Sequence, residues 1–217
     1  MNFLVLSSSR GTTFQAVLDR IADGSLTAKC IGLITDSPDR GCIEKAKTAG
    51  IPYAILERKP NDDREEYDKI LNETISELTS NESRVNESPT ASPPASTNDN
   101  PTVIACMGWM WIITPWFISK WPNRILNVHP ALLPRHGGEG MYGHHVHDAI
   151  LKSGDKESGM TIHLMDKGID TGKIILQKSC PVLPNDTAET LQKRVQELEK
   201  EWYPKALQMI EDGAIEL

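Results

Sequence analysis

The run Ile125-Leu-Asn-Val-His-Pro130 is apolar at its start and ends in an amide, an imidazole and a proline. Such a run predicts a short buried strand, which the proline helps to end because it lacks a backbone N–H. Asn127 and His129 are two positions apart, so we expect both side chains on the same face of that strand. An amide and a titratable imidazole in one space suit acyl chemistry, which needs a base for an attacking amine and donors for an oxyanion.

Strand and helix patterns alternate in the part of the chain before this run. The predicted strands are 2–7, 29–35, 53–56 and 102–108, and the predicted helices are 14–21, 42–49 and 64–78. An alternation of this kind predicts a parallel sheet whose strands are connected by helices. The N-terminal half is therefore predicted to be Rossmann-like.

The C-terminal half has a different pattern. Its predicted elements are a glycine-rich loop at 137–143, a helix at 145–153, strands at 158–164 and 172–178, and a final helix at 187–211. The two strands flank a turn that holds Asp170, and Asn185 or Asp186 is the predicted N-cap of the final helix. The predicted fold class is α/β, with a Rossmann-like parallel sheet in the N-terminal half extended by a mixed C-terminal half.

Residues 80–101 differ in composition from the rest of the chain. They are rich in Ser, Asn, Pro and Thr and contain one large aliphatic residue, Val85. Such a segment has too little apolar surface to bury, so we expect a disordered insert within a single domain of residues 1–217. A boundary between two domains is the alternative, although the next predicted strand continues the same alternation.

Composition and charge argue against several classes of protein. The formal net charge of −7 argues against a nucleic-acid backbone as the main partner. The apolar run after Met1 lacks a basic flank and predicts a first strand, not a signal peptide. No stretch reaches the ~18 apolar residues of a membrane span. The four cysteines form no CxxC pair, so we expect reduced thiols in a cytoplasmic protein.

The Asn-x-His-Pro motif is followed by Leu132-Leu-Pro-Arg135 and, downstream, by the Asp-x-Gly of Asp170 and Gly172. Together these motifs closely resemble the folate-dependent formyltransferase family, and in particular its phosphoribosylglycinamide formyltransferases. The resemblance covers nearly the whole chain apart from the insert. It implies transfer of the formyl group of 10-formyltetrahydrofolate to the amine of 5′-phosphoribosylglycinamide, a step of purine biosynthesis. The folate would be a consumed co-substrate, and no metal would be required.

The resemblance assigns catalysis to Asn127, His129 and Asp170. In the family the Asp holds the His and favours its charged form, because an adjacent carboxylate raises the pKa of an imidazole. Without the resemblance, an Asp-Thr-Gly segment is usually only a turn, and a lone histidine at a strand end is more often structural than catalytic. Lys173 stands after Gly172 where the family usually has a proline.

Gly11, Thr12 and Thr13 match the phosphate-binding positions of the family. They lie in Ser7-Ser-Ser-Arg-Gly-Thr-Thr13, which joins the first predicted strand to the first predicted helix. Free backbone N–H groups at a helix N-terminus, with hydroxyls beside them, suit a phosphate. Ser9 replaces a glycine of the family loop and Thr13 replaces an asparagine. By itself this loop is weak evidence, because many strand–helix turns collect Ser, Thr and Gly.

Other positions match the substrate contacts of the family. The folate-binding positions are Arg64, Met110, Trp111, Ile112, Ile113 and Asn127, and the positions near the ribose and glycinamide are Gln196 and Glu199. From the residues alone, the segment 110–113 would be a strand end and core. Arg64, Gln196 and Glu199 would be solvated helix residues.

Three histidines near the helix predicted at 145–153 could suggest a metal site. His144 and His147 are three positions apart, and no glutamate is placed as in an HExxH motif. We therefore predict that no metal is bound. The predicted partners are the two small-molecule substrates, without nucleic acid or membrane, and the predicted state is a monomer or homodimer.

Alternative functions stay open at this point. Methionyl-tRNA formyltransferases carry a further nucleic-acid-binding domain, and formyltetrahydrofolate deformylases carry an N-terminal regulatory domain. We expect neither domain, because the first predicted strand starts at residue 2 and the final helix lies near residue 217. A sugar-nucleotide N-formyltransferase would differ mainly in the phosphate loop. A non-catalytic nucleotide-binding module is the alternative from another class, and the set of Asn127, His129 and Asp170 argues against it.

Overall fold

Strands and helices alternate along the residues that the computed structural model describes, 1–85 and 103–217. The strands are β1 (Asn2–Leu6), β2 (Lys29–Thr35), β3 (Tyr53–Ile55), β4 (Val103–Cys106), β5 (Ile125–His129), β6 (Glu157–Leu164) and β7 (Ile174–Pro181). The helices are α1 (Thr12–Ala22), α2 (Cys42–Thr48), α3 (Arg64–Val85), α4 (Pro115–Lys120), α5 (His144–Ser153) and α6 (Ala188–Glu211). Residues 86–102, which include most of the insert predicted at 80–101, lie outside the described residues.

The strands form one seven-stranded sheet in the order β3-β2-β1-β4-β5-β6-β7. All pairings from β3 to β5 are parallel, whereas β6 and β7 add in antiparallel orientation. This arrangement confirms the predicted fold class of a Rossmann-like parallel sheet extended by a mixed C-terminal half. The chain leaves β1 towards β2 on one side, and later returns to β4 on the other side. The strand order therefore reverses beside β1, and ligands bind at such points in open α/β sheets.

Helices cover both faces of the sheet, which explains the continuous apolar runs of the central strands. Phe3 and Val5 of β1 belong to one buried cluster, with residues of α1, α2, α5 and α6. Leu4 and Leu6 belong to a second cluster, with residues of α3 and α4. Successive side chains alternate between these two clusters as strand geometry requires. Among the described residues, no helix combines the length and the apolar character needed to cross a membrane.

Two elements differ from the sequence-based predictions. Helix α3 ends at Val85, not near Leu78, so the first residues of the predicted disordered segment are helical. No glycine or proline occurs between Arg64 and Val85, and nothing in the local sequence therefore stops the helix. The short helix α4 was not predicted. Thr114 caps it by accepting a hydrogen bond from the backbone N–H of Phe117 at 3.4 Å.

The predicted N-cap of α6 is wrong. Thr187 is the N-cap, and its side chain forms a capping box with Thr190. Asp186 instead accepts a hydrogen bond at 2.8 Å from Arg194, which lies more than one turn into the helix. It accepts another from the backbone N–H of Leu183 at 2.7 Å. Several adjacent residues in this sequence could serve as the N-cap. The geometry of the preceding turn decides which of them does, and that geometry is not visible in the sequence.

Candidate active site

A pocket of about 590 Å³ opens at the carboxyl ends of β1, β4 and β5. It is lined by the start of α1, the segment that follows β4, the end of β5, the glycine-rich loop, the β6–β7 turn and one face of α6. The pocket thus lies beside the reversal of strand order, where the parallel and antiparallel parts of the sheet meet. Its walls include Asn127 and His129, which strand spacing placed together, and Asp170, which the sequence joined to them only through the family motif.

Asn127 and His129 both line the pocket from β5, as their two-residue spacing predicts. His129 is not at an open strand end, because only 3% of its surface is exposed. Its Nε2 lies 2.7 Å from the main-chain carbonyl oxygen of His136. Since a carbonyl can only accept, Nε2 must carry the proton and donate. The other ring nitrogen, Nδ1, lies 3.4 Å from Oδ2 of Asp170.

Burial and charge act in opposite directions on the His129 imidazole. Burial lowers the pKa of His129, and this effect exceeds the upward effects of the Asp170 carboxylate and the His136 carbonyl. The free protein is therefore expected to hold a neutral ring at neutral pH, with its proton on Nε2. Nδ1 is then a free base on the side of the ring that faces Asp170.

The Asp170 carboxylate is held by contacts on both of its oxygens. Its Oδ2 accepts a hydrogen bond from the backbone N–H of Gly138 at 3.1 Å, and its Oδ1 lies 3.5 Å from Nε2 of His163. Burial raises the pKa of Asp170, but the nearby His163 and His129 imidazoles and the Gly138 N–H outweigh it, so the pKa lies below its ordinary value. The carboxylate is thus ionised and fixed in direction beside His129.

The turn that presents Asp170 has little freedom. Asp170 itself has a left-handed backbone with φ 58°. A Cβ on Gly172 would lie 1.8 Å from the backbone oxygen of Leu164, so only glycine fits there. The Lys173 that departs from the family pattern is exposed, and its backbone oxygen accepts a hydrogen bond from Leu164. The turn therefore depends on Gly172 more than on the residue after it.

His163 is a pocket residue to which the sequence analysis gave no role. It pairs with Asn127 across the antiparallel β5–β6 ladder, and its Nε2 lies 3.2 Å from Nδ2 of Asn127. Its Nδ1 lies 3.1 Å from the carbonyl oxygen of Leu164, to which Nδ1 must donate, so Nε2 can accept from Asn127. A histidine in the otherwise apolar core of a predicted strand was the available signal. Its partner depends on the register of two strands and is not visible in the sequence.

The predicted phosphate loop is only partly in the pocket. Thr12 and Thr13 line the pocket, whereas Gly11 is the left-handed N-cap of α1 with φ 75°. A Cβ on Gly11 would lie 2.9 Å from Cys42, so the loop needs glycine there. No side chain caps α1, and the first N–H groups of the helix stay free of a side-chain partner. The Thr13 hydroxyl donates a hydrogen bond to Glu199 at 3.2 Å, so this hydroxyl already has a partner within the protein.

Two predicted residues of α6 also reach the pocket. Gln196 and Glu199 both line it, so they are not merely a solvated helix face. Burial raises the pKa of Glu199 to about 7, although the hydrogen bond from Thr13 opposes that shift. A carboxyl group with such a pKa can bind an amine or ammonium group as an anion, or donate a proton when neutral.

Residues 110–113 line the pocket on the other side. Met110 is 47% exposed and Ile112 is 42% exposed, so they leave apolar surface open at the pocket mouth. The Trp111 indole donates to Asp36 at 2.8 Å and packs against the Arg58 guanidinium, 4.6 Å from the ring centroid. Arg64, also predicted on this side, is exposed at the start of α3 and does not line the pocket.

One group of side chains in the described part of the chain could hold a metal ion. Ligand atoms of His144, His145 and Asp148, at the start of α5, lie within 4.8 Å of one another. These residues do not line the pocket, whereas His147 of the same helix does. The prediction that no metal is bound stays a prediction.

Comparisons with known proteins agree with this geometry. The formyl transferase family model matches residues 1–207 of the chain. Phosphoribosylglycinamide formyltransferase of Haemophilus influenzae is 29% identical over 213 residues, which are 98% of this chain and 88% of that protein. The trifunctional purine biosynthetic protein adenosine-3 of Drosophila melanogaster is 33% identical over 211 residues, which are 96% of this chain but 14% of that protein. The structure of glycinamide ribonucleotide transformylase 1 from Symbiobacterium toebii is similar, with a TM-score of 0.82 at 29% identity over 98% of this chain and 88% of that one.

The sheet is open and Rossmann-like, and its pocket lies where the strand order reverses. An imidazole and a carboxylate face that pocket. The chain is therefore a Rossmann-like protein with a site suited to group transfer. The family match extends over 207 of the 217 residues. The chain belongs to the formyl transferase family. It spans 14 to 19% of the length of the trifunctional relatives it matches.

Proposed function

We propose that the protein transfers the formyl group of 10-formyltetrahydrofolate to the amine of 5′-phosphoribosylglycinamide. The observation that carries the proposal is the convergence of Asn127, His129 and Asp170 on one pocket, with hydrogen-bonding contacts that orient all three. The names of full-length relatives, such as the Haemophilus influenzae enzyme, support the choice of substrates. The proposal treats the chain as one catalytic domain that needs no metal.

The reaction begins when the amine nitrogen attacks the formyl carbon, whose C=O bond opens to an oxyanion. Neutral His129 is placed to accept a proton through Nδ1, the nitrogen that faces Asp170. The resulting imidazolium is stabilised by the Asp170 carboxylate and can then donate to the oxyanion. Return of a proton to N10 of the folate completes the step, as the bond between N10 and the formyl carbon breaks. Each oxyanion donor of this type contributes about 3–4 kcal/mol.

Asn127 supplies the second donor in this proposal. Its Nδ2 carries two hydrogens, and His163 accepts one of them at 3.2 Å. The amide is then oriented with its second N–H available to the pocket. His163 therefore orients an oxyanion donor, and its Nε2 also lies 3.5 Å from Oδ1 of Asp170.

The two substrates fit the two sides of the pocket. The phosphate would lie near the free N–H groups at the start of α1, by Thr12 and Thr13. The ribose and glycinamide would extend towards Gln196 and Glu199 of α6. The flat pterin ring would contact the apolar segment of residues 110–113 through its face and the backbone through its edge. Arg64 lies outside the pocket lining. We therefore propose that it contacts the distal part of the folate and not the pterin ring.

A direct test mixes purified protein with 10-formyl-folate and one of several amines. We expect rapid loss of the formyl group with phosphoribosylglycinamide, and slow loss with an amino sugar nucleotide or with water alone. His129→Asn should reduce kcat more than 10-fold, which corresponds to about 1.4 kcal/mol. Asp212→Asn, at the far end of α6, is the matched control for an exposed polar change.

Two results would contradict the proposal. Faster turnover with the amino sugar nucleotide would assign the protein to another acceptor class of formyltransferases. No turnover with any amine, in a folded protein that still binds nucleotides, would favour a non-catalytic binding module.

A further inference from the structure

His136 contributes to the site through its backbone while its side chain points elsewhere. Its carbonyl oxygen accepts the hydrogen bond from Nε2 of His129 at 2.7 Å. Its backbone is left-handed, with φ 55°, a conformation that residues with a Cβ adopt at a cost in free energy. Some other contact must therefore hold the residue in this conformation.

Asp155, which is the residue after the C-cap of α5, supplies that contact. Its Oδ2 lies 2.7 Å from Nε2 of the His136 ring, and Arg135 forms an ion pair with its Oδ1. The side chains of His136 and Asp155 are 16% and 12% exposed, whereas that of Arg135 is 65% exposed. The pair of His136 and Asp155 is thus largely shielded from water, and the contribution of Arg135 is screened.

We propose that Asp155 is a positioning residue for formyl transfer, which acts through His136 on the His129 imidazole. Asp155 holds the His136 ring, the ring holds the left-handed backbone, and the backbone aims the carbonyl at Nε2 of His129. The proton of the neutral imidazole is then fixed on Nε2, and Nδ1 is left free as the base. This inference rests on the proposed function for its consequence in turnover, but its structural part can be tested without turnover.

The groups that face His129 determine what loss of the carbonyl would do. They are Asp170, the rings of His163 and His136, whose charges lower the pKa of His129, and the His136 main chain. The charge of His129 also acts on His147. The His136 carbonyl is one of two influences that raise the pKa of His129 against burial. If the carbonyl turns away, Asp170 is the only upward influence left among these groups. The His129 proton would then move to Nδ1, where the carboxylate can accept it.

The key variant is Asp155→Ala, which leaves no acceptor for the His136 ring, with Arg135→Ala as its matched control. Arg135→Ala removes the exposed partner of Asp155 but leaves the contact with the His136 ring. Ring ¹⁵N NMR of His129 reports which nitrogen carries the proton and how the ring titrates. We expect Asp155→Ala to move the proton from Nε2 towards Nδ1 and to lower the His129 pKa. Arg135→Ala should change neither.

Turnover provides a second readout. Asp155→Ala should reduce kcat about 10-fold, by analogy with the loss of the outer hydrogen-bond partner of a metal-ligating histidine. KM should stay within about 2-fold, because no substrate contact is removed, and the acidic limb of the kcat–pH profile should move to lower pH. Purely structural damage would reduce the amount of active protein without moving this limb.

His136→Gly keeps the inference testable if Asp155 variants are unstable. Glycine adopts a positive φ without a side-chain anchor, so the carbonyl can stay in place while the ring is absent. In this background Asp155→Ala should have no further effect on the His129 proton, because the link between them is already broken. An Asp155→Ala protein with an unchanged His129 tautomer and pKa would overturn the inference. If the wild type lacks formyl transfer while the NMR changes occur, the proposed function fails and the positioning role stands.

Discussion

At the scale of single residues, burial dominates the titration of two histidines in this pocket. His129 and His147 are 3% and 1% exposed, and burial is the largest cause of the lowered pKa of each. They differ in their partners. His129 has an acceptor near each ring nitrogen, whereas Nδ1 of His147 has no hydrogen-bond partner in the described structure. His129 is thus suited to gain a proton during a reaction, and His147 is not.

The first prediction concerns Asp170→Asn. The amide can occupy the place of the carboxylate but cannot stabilise a charged imidazole, so the pKa of His129 should fall below its wild-type value. The kcat should fall at least ~100-fold, the scale of a lost acid–base contribution, with a modest change in KM. NMR titration of the His129 ring tests the pKa directly.

Asp166→Asn is the control for this experiment, because Asp166 stabilises the same turn without contacting His129. It accepts hydrogen bonds from Gly168 and Thr171. This variant should leave the His129 titration unchanged. An unchanged titration in Asp170→Asn as well would mean that Asp170 is only a turn residue.

The second prediction concerns His147 and acid stability. Burial lowers the pKa of His147 to about 4 from the ordinary value of 6.5, so the unfolded chain takes up its proton first as pH falls. The stability that His147 contributes is complete above about pH 6.5 and is lost progressively as pH falls to about 4, by about 3 kcal/mol in total. His147→Asn should reduce this loss when urea unfolding at pH 7 and pH 4.5 is compared. His145→Asn, an exposed neighbour on α5, should not, and equal acid losses in both variants would contradict the assignment.

Where a local motif held them, the residues proposed from the sequence line the pocket, and their roles stay predictions. Asn127 and His129 follow from strand alternation, and Asp170 follows from the family motif. The contact between Asn127 and His163 could not be predicted in this way. It depends on the antiparallel register of β5 and β6, which brings together residues 36 positions apart. The carbonyl of His136 was missed for a related reason, since backbone groups leave no residue-specific signal.

At the scale of elements, the predictions succeeded for periodic segments and failed at ends. The bounds of β2 were predicted without error, because its buried run is followed by turn residues. Helix α4 escaped detection since it has six residues, too few to show a period. The predicted end of α3 and the predicted N-cap of α6 differ from the observed ones, because capping depends on the geometry of the adjoining turn.

The third prediction concerns the connection between α3 and β4. Residues 90–98, Thr-Ala-Ser-Pro-Pro-Ala-Ser-Thr-Asn, contain no large apolar side chain. Their deletion removes nothing that could be buried in a core and changes the closure entropy of a long connection only slightly. We expect Tm, kcat and both KM values close to wild type. A raised KM for either substrate would show that the segment contributes to the site, and a lowered Tm would show that it contributes to the fold.

At the scale of the whole molecule, the two halves of the chain share one sheet and the buried cluster on one of its faces. Strands β4, β5 and β6 are continuous neighbours across the change from parallel to antiparallel pairing. Phe14 of α1 and Leu191 of α6 belong to the same buried cluster. The Tyr203 hydroxyl donates to the Leu126 carbonyl at 3.2 Å, which ties α6 to the strand that carries His129. The pocket is therefore assembled from both halves, and neither half contains a complete site.

The fourth prediction follows from this shared core: the chain should unfold as one cooperative unit. Four of the five tryptophans lie between residues 109 and 121, and the fifth, Trp202, lies on α6. In Trp202→Phe the emission reports only the N-terminal half, whereas far-UV ellipticity also reports α5 and α6. We expect coincident urea transitions with equal midpoints and slopes for the two signals, because a chain with one core exposes its surface in one step. The substrates should shift both transitions together, since binding stabilises the folded state as a whole. Separate midpoints, or a substrate shift in one signal alone, would instead divide the chain into two domains with the active site between them.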